Sequence, residues 1–221
     1  MATVDEVLAE VAARYRTREP RSWPAPRPAG ESPREEEYSR LTDPDRYRVV
    51  HLRSRAWADT LVARADAVIA PVPSYPTSEN HTSGRGARLA SRRPGTLPLF
   101  LLEHDVRQAG GAPLPALDIA VAEPGNVVAS HPDCGCDACD TGSAGLLEAI
   151  DRTMTAVVAG PYVSMRAAEG WFARWHPQGC EISGTGPGLR DVARLCERLV
   201  EDENTPLPEG VVAHVGRSWL H

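Results

Sequence analysis

The sequence contains no apolar run approaching the roughly 18–20 residues that cross a bilayer. Nothing at its start reads as a secretion signal either, because Asp5, Glu6 and Glu10 interrupt the apolar residues there. Positive charge is not in excess. The formal net charge is −6, so the basic surface that a phosphate backbone requires is not expected, nor is nucleic acid as a partner. The short catalytic signatures G-x-S-x-G and H-E-x-x-H are missing, and there is no internal repeat. Gly184-Thr-Gly-Pro-Gly188 has neither G-x-G-x-x-G nor the G-K-[ST] ending, so it reads as a turn leading into a helix. Five cysteines, an odd number without a secretion signal, fit a reducing cytoplasm better than a disulfide framework. These absences leave a cytoplasmic globular chain with no membrane partner, for which a protein partner stays open.

What is present divides into three parts. Thr3 and Glu6 have the spacing of a capping box, and Val4, Val7, Leu8, Val11 and Tyr15 recur at helical intervals. Residues 1–18 are therefore expected as an amphipathic helix. Residues 19–37 carry prolines at 20, 24, 26, 28 and 33 and glutamates at 35, 36 and 37, with little to bury apart from Trp23. They read as an exposed, extended linker. Residues 38–221 form the body. Pro44 starts a helix expected to reach about Asp66 or Ile69, and the proline- and glycine-rich, basic stretch Val72 to Leu97 is expected as a long loop. Leu97 to Glu103, Ala116 to Val121, Asn126 to Ser130, Tyr162 to Ala167, Trp171 to His176 and Cys180 to Ser183 are expected strands, and Val211 to Val215 is a further short apolar stretch. Helices are expected after Asp140 and after Gly188. Strands that cluster in hairpins predict an α+β fold: an antiparallel sheet with about four helices packed mainly on one face.

The chemistry concentrates in His131-Pro-Asp-Cys-Gly-Cys-Asp-Ala-Cys-Asp140. Zinc takes four tetrahedral thiolate or imidazole ligands, and Gly135 lets the backbone fold tightly between Cys134 and Cys136. With Cys139 these supply three ligands. Cys180 is the expected fourth, because a residue distant in sequence would tie the loop to the later hairpin. His131 and His176 are the alternatives. Asp133, Asp137 and Asp140 interleave the thiols, so three thiolates there repel carboxylates unless a divalent ion neutralises them or the thiols keep their protons. The same carboxylates argue against a low-pKa catalytic cysteine. The competing reading is a strand-to-helix loop whose small cysteines are merely packed. Cys196 lies on the apolar face of the last helix and is read as packing. Glu103-His104-Asp105 groups an imidazole with two acids, but neighbours in a strand point to opposite faces.

Cys134-Gly-Cys-Asp-Ala-Cys-Asp140 follows an apolar hairpin that contains Glu123-Pro-Gly125. Together with Gly170-Trp171, Trp175-His176 and the ending Gly216-Arg-Ser-Trp-Leu220, it resembles an uncharacterised actinobacterial family, domain of unknown function 6226. The first 37 residues fall outside the shared pattern. The resemblance implies no substrate and no catalytic residue. The functional expectation is thus a non-catalytic binding or scaffold module whose cysteine loop holds a structural zinc. The alternative is a metal- or thiol-dependent enzyme acting on a small molecule.

Overall fold

The Thr3 side chain accepts the Glu6 amide at 3.2 Å, and the Glu6 carboxylate accepts the Thr3 amide at 2.8 Å. This reciprocal cap opens helix α1, Val4–Arg16, which buries Val7, Val11 and Tyr15. The computed structural model describes residues 2–28, 30–72, 84–108, 111–168 and 170–220. A short 3-10 helix, Pro44–Arg48, leads into α2, Val49–Arg64, with proline in the first turn where no amide proton is needed. Helix α3, Gly142–Ala159, buries Leu146, Ile150, Met154, Val157 and Val158. A charged link joins the three helices at their centre. Arg53 pairs with Asp151, Trp57 donates to the same carboxylate at 2.8 Å, and the Arg53 guanidinium lies 5.2 Å from the Tyr15 ring.

Five antiparallel strands form a meander beside these helices: β1 (Ala67–Val72), β2 (Arg85–Ser91), β3 (Leu99–Val106), β4 (Leu114–Val121) and β5 (Val127–His131). Leu99, Leu101, Leu117, Ile119 and Val121 join the helices in the main core. The opposite face of β3 and β4 carries a smaller cluster of Phe100, Leu102 and Ala120. A second sheet is ordered β8-β7-β6-β9, from β6 (Tyr162–Ala167), β7 (Phe172–His176), β8 (Gly179–Ser183) and β9 (Val211–Gly216). Helix α4, Leu189–Glu201, covers one face of it through Val192, Leu195, Cys196 and Leu199. The fold is α+β, with two antiparallel sheets rather than one.

Two expectations need correction. The end of the Pro44 helix and part of the long loop are instead a hairpin, β1 and β2, in register from Ala67↔Ser91 to Val72↔Gly86. Its outer strand exposes Val68 and Ile69 and contains Pro71, as an edge strand tolerates. Residues 73–83 of that loop lie outside the described residues. The other correction concerns 19–37. Trp23 packs edge-on against Tyr47, with ring centroids 5.7 Å apart, and lies partly buried against the main core. The stretch is docked through Trp23 and Arg27, while most of its other described residues stay exposed.

Candidate metal centre

Strand β5 ends at His131, and α3 begins at Gly142, so the cysteine loop is held at both ends by core elements. Within it, Cys134 Sγ lies 3.1 Å from Cys136 Sγ, and the Cys136 amide points at Cys134 Sγ at 3.4 Å. A 3-10 turn, Asp137–Cys139, then carries Cys139 back over Cys136, closed by the Cys139 amide on the Cys136 carbonyl at 3.0 Å. The three sulfurs all lie within 4.8 Å of one another. Tetrahedral thiolates around one zinc ion stand about 3.8 Å apart, so the spacing suits a single ion. Gly135 lies close under Leu114: a Cβ there would stand 2.5 Å from Leu114 Cδ2 and would push that side chain aside.

The thiols differ from one another. Burial alone would raise Cys136, but the Cys134 thiol and the amides of Cys139 and Ala138 outweigh it and hold Cys136 below the usual thiol range. Hydrogen bonding to Cys136, then burial, then Cys134 push Cys139 up to about 12. The group therefore concentrates negative charge on Cys136 and keeps the proton on Cys139. A cation that met all three sulfurs would displace such protons.

The aspartates are not where repulsion would place them. Asp137 accepts Arg40 Nε at 2.6 Å, the Thr42 amide at 2.9 Å and the Thr42 hydroxyl at 2.8 Å. Burial would raise its pKa, yet these bonds hold it below the ordinary 3.8. Asp140, its side chain only 4% exposed, accepts Trp23 Nε1 at 3.0 Å and the Gly142 amide at 2.8 Å and pairs with Arg46 at 3.0 Å. Arg27 reaches the Asp137 carbonyl at 3.3 Å and the Ala138 carbonyl at 2.5 Å. Two of the three carboxylates expected to repel thiolates are thus matched by arginines from residues 27–46. Gly142, at φ +77, lets the segment press close, since a Cβ there would sit 2.5 Å from the Ala25 nitrogen. This frame was not legible beforehand: its residues lie about a hundred positions upstream, and the interleaved aspartates were read as repulsive.

The structure brings Cys134, Cys136 and Cys139 together and places Cys180 elsewhere. Cys180 pairs with Trp175 across the β7–β8 hairpin and packs with Cys196 in the core under α4. Strand alternation sends its neighbour Glu181 the other way, into a cleft of about 1350 Å³ lined also by Cys134, Cys139, His131, Arg174 and His176. His131 is 9% exposed, its Nε2 lies 3.4 Å from Thr153 Oγ1, and burial pushes its pKa down to about 4. Cys196 is buried, as expected, which pushes its thiol up to about 12. Glu103 pairs with Arg55 at 2.5 Å, whereas His104 stands 3.8 Å from Asp118, so the acid and the imidazole do part to opposite faces.

No helix among the described residues is long and apolar enough to cross a membrane. No curated protein and no solved structure matches the chain. The model of one protein family matches residues 10–221, and so takes in the docked segment that the motif-based resemblance left outside. With the cysteine loop and its arginine frame both inside that match, the chain belongs to the family of unknown function DUF6226.

Proposed function

We propose that the protein is a non-catalytic binding or scaffold module in which Cys134, Cys136 and Cys139 hold a zinc ion, in the cytoplasm, where thiols stay reduced. The observation that carries this reading is the spacing: three sulfurs within 4.8 Å of one another on a loop fixed at both ends. The ion would be structural first. It would draw the thiols of one loop to a point, and that loop is the surface on which Trp23, Arg27, Arg40 and Arg46 dock. Thiolate and borderline-soft zinc are matched donors and acceptor. Elemental analysis of the purified protein tests this. One zinc per chain, lost in Cys136→Ser and kept in Cys180→Ser, is the expected result. Metal-free protein that takes up no added zinc would leave the loop as packed thiols.

A second reading, an enzyme acting on a small molecule, is favoured by one observation. Cys134 and Cys139 line a cleft that also contains a neutral, buried imidazole, His131.

A further inference from the structure

Zinc in thiolate sites is four-coordinate, and a site with three protein donors keeps its fourth position for water or an added ligand. Among the described residues, Cys134, Cys136 and Cys139 form such a set of three. The obvious completions point elsewhere. Cys180 packs on the α4 side of the β7–β8 hairpin. The His131 Nε2 is engaged with Thr153 on α3 at 3.4 Å, and the His176 Nδ1 with Gln178 at 3.0 Å. What does meet the sulfurs is the cleft, since Cys134 and Cys139 are both solvent-exposed and both line it.

Building on the zinc reading above, we propose that the metal's fourth position opens into this cleft, and that the cleft takes a small zwitterionic thiol whose sulfur completes the coordination. Two features select that class. The first is the metal's surroundings. A centre already holding three thiolates is soft, and it takes sulfur in preference to a carboxylate or a hydroxyl. The second is the charge of the walls. The cleft presents charges of both signs as neighbours: Arg174 with Glu181 at 2.7 Å, and Arg152 with Glu148 at 3.0 Å. A polyanion such as a nucleotide meets as much repulsion as attraction on such walls. A molecule with one ammonium and one carboxylate can pair with both. Binding is a ligand exchange. The thiol gives its proton to water, its sulfur bonds the metal, and the water held there leaves, with no change of oxidation state.

Cobalt(II) loaded into the full-length protein in place of zinc makes the site visible through thiolate-to-cobalt charge transfer. Before any thiol is added, that absorption tests the metal reading: its absence would sink that reading and the cleft assignment with it, and its presence leaves the cleft assignment alone to the titration. L-cysteine is then titrated in, with serine as the sulfur-free control and 2-mercaptoethanol as the uncharged one. The expected result is a saturable rise of about one third, four thiolates replacing three. Cobalt stays with the protein through gel filtration, and serine has no effect. Arg174→Gln and Glu181→Gln each weaken cysteine binding about tenfold while leaving 2-mercaptoethanol unaffected. The proposal is overturned if cysteine leaves the spectrum unchanged or strips the cobalt. It is overturned also if 2-mercaptoethanol binds as tightly as cysteine. A thiol-free spectrum that changes in His131→Gln or in His176→Gln would put an imidazole in the fourth position, with the same consequence.

Discussion

Asp140 lies beside Cys139 with its side chain only 4% exposed. Its carboxylate gathers an indole, an amide and a guanidinium at one nearly sealed point. Asp140→Ala leaves Arg46 half without its counter-charge, and urea denaturation should show a loss of about 3 kcal/mol. Asp133→Ala, at an exposed position on the same loop, should change stability by less than about 0.5 kcal/mol. Equal losses from the two substitutions would mean that the loop aspartates act by charge alone. His131 gives a pH signature. Its pKa is about 4 in the folded chain and 6.5 when exposed, so between those values the unfolded chain binds a proton that the folded one refuses. The stability tied to the neutral ring is therefore complete above pH 6.5 and falls as pH drops towards 4, by about 3 kcal/mol. Denaturation midpoints across that range, compared with His131→Gln, should show a decline in the parent that the variant largely lacks.

Among the elements, the segment before Tyr38 is the one whose behaviour a protease can report. It is held by the Trp23 indole, by Ser143, whose amide meets the Trp23 carbonyl at 3.1 Å, and by Arg27 on the loop carbonyls. Limited proteolysis should spare residues 19–37 in the parent and cut them in Trp23→Ala, which should also cost about 2 kcal/mol. Rapid cutting in the parent would contradict the docked arrangement. Proline content and charge made that stretch look unable to bury itself, and alone it is. Its docking surface is built by residues 137–143 and Tyr47, which no local pattern announces. Several elements were legible: α1 from its cap and apolar stripe, α3 from Leu146 to Val158, β3 from its short apolar run, β4 from the alternation of Leu117, Ile119 and Val121, and β5 to β8 as short strands bounded by turns. The β1–β2 hairpin was not. Arg85, Arg88 and Gly86 dilute the apolar signal, and only Ala67, Gly86 and Leu89 of the two strands are buried among their described side chains and backbone. The sulfur cluster could be read from spacing alone, but Cys180 could not be placed without knowing which face of β8 meets α4.

For the molecule as a whole, the arginine frame couples any ion at the cysteines to the stability of the helical layer. Zinc at a hundredfold its dissociation constant adds about 2.7 kcal/mol to a chain that binds it only when folded. In a chain of 221 residues that corresponds to a rise in Tm of about 5–10 °C. Calorimetry with and without a chelator should show the rise in the parent and in Cys180→Ser, and not in Cys136→Ser. A chelator-insensitive Tm in protein known to carry zinc would detach the ion from the fold.

The docked segment also fixes an order of events. Trp23 and Asp140 stand 117 residues apart, and the carbonyls that Arg27 grips belong to positions 137 and 138. As the ribosome makes the chain, α1 can close on α2 and Trp23 on Tyr47 early, but the bonds from the Trp23 indole and Arg27 wait for the span of the entire first sheet. Those acceptors appear only when the cysteine loop is released. The segment around Trp23 is thus made well before the last of its partners. A nascent chain halted before residue 137 should leave Trp23 open to quenching by solutes, and one halted well beyond Ala159 should protect it.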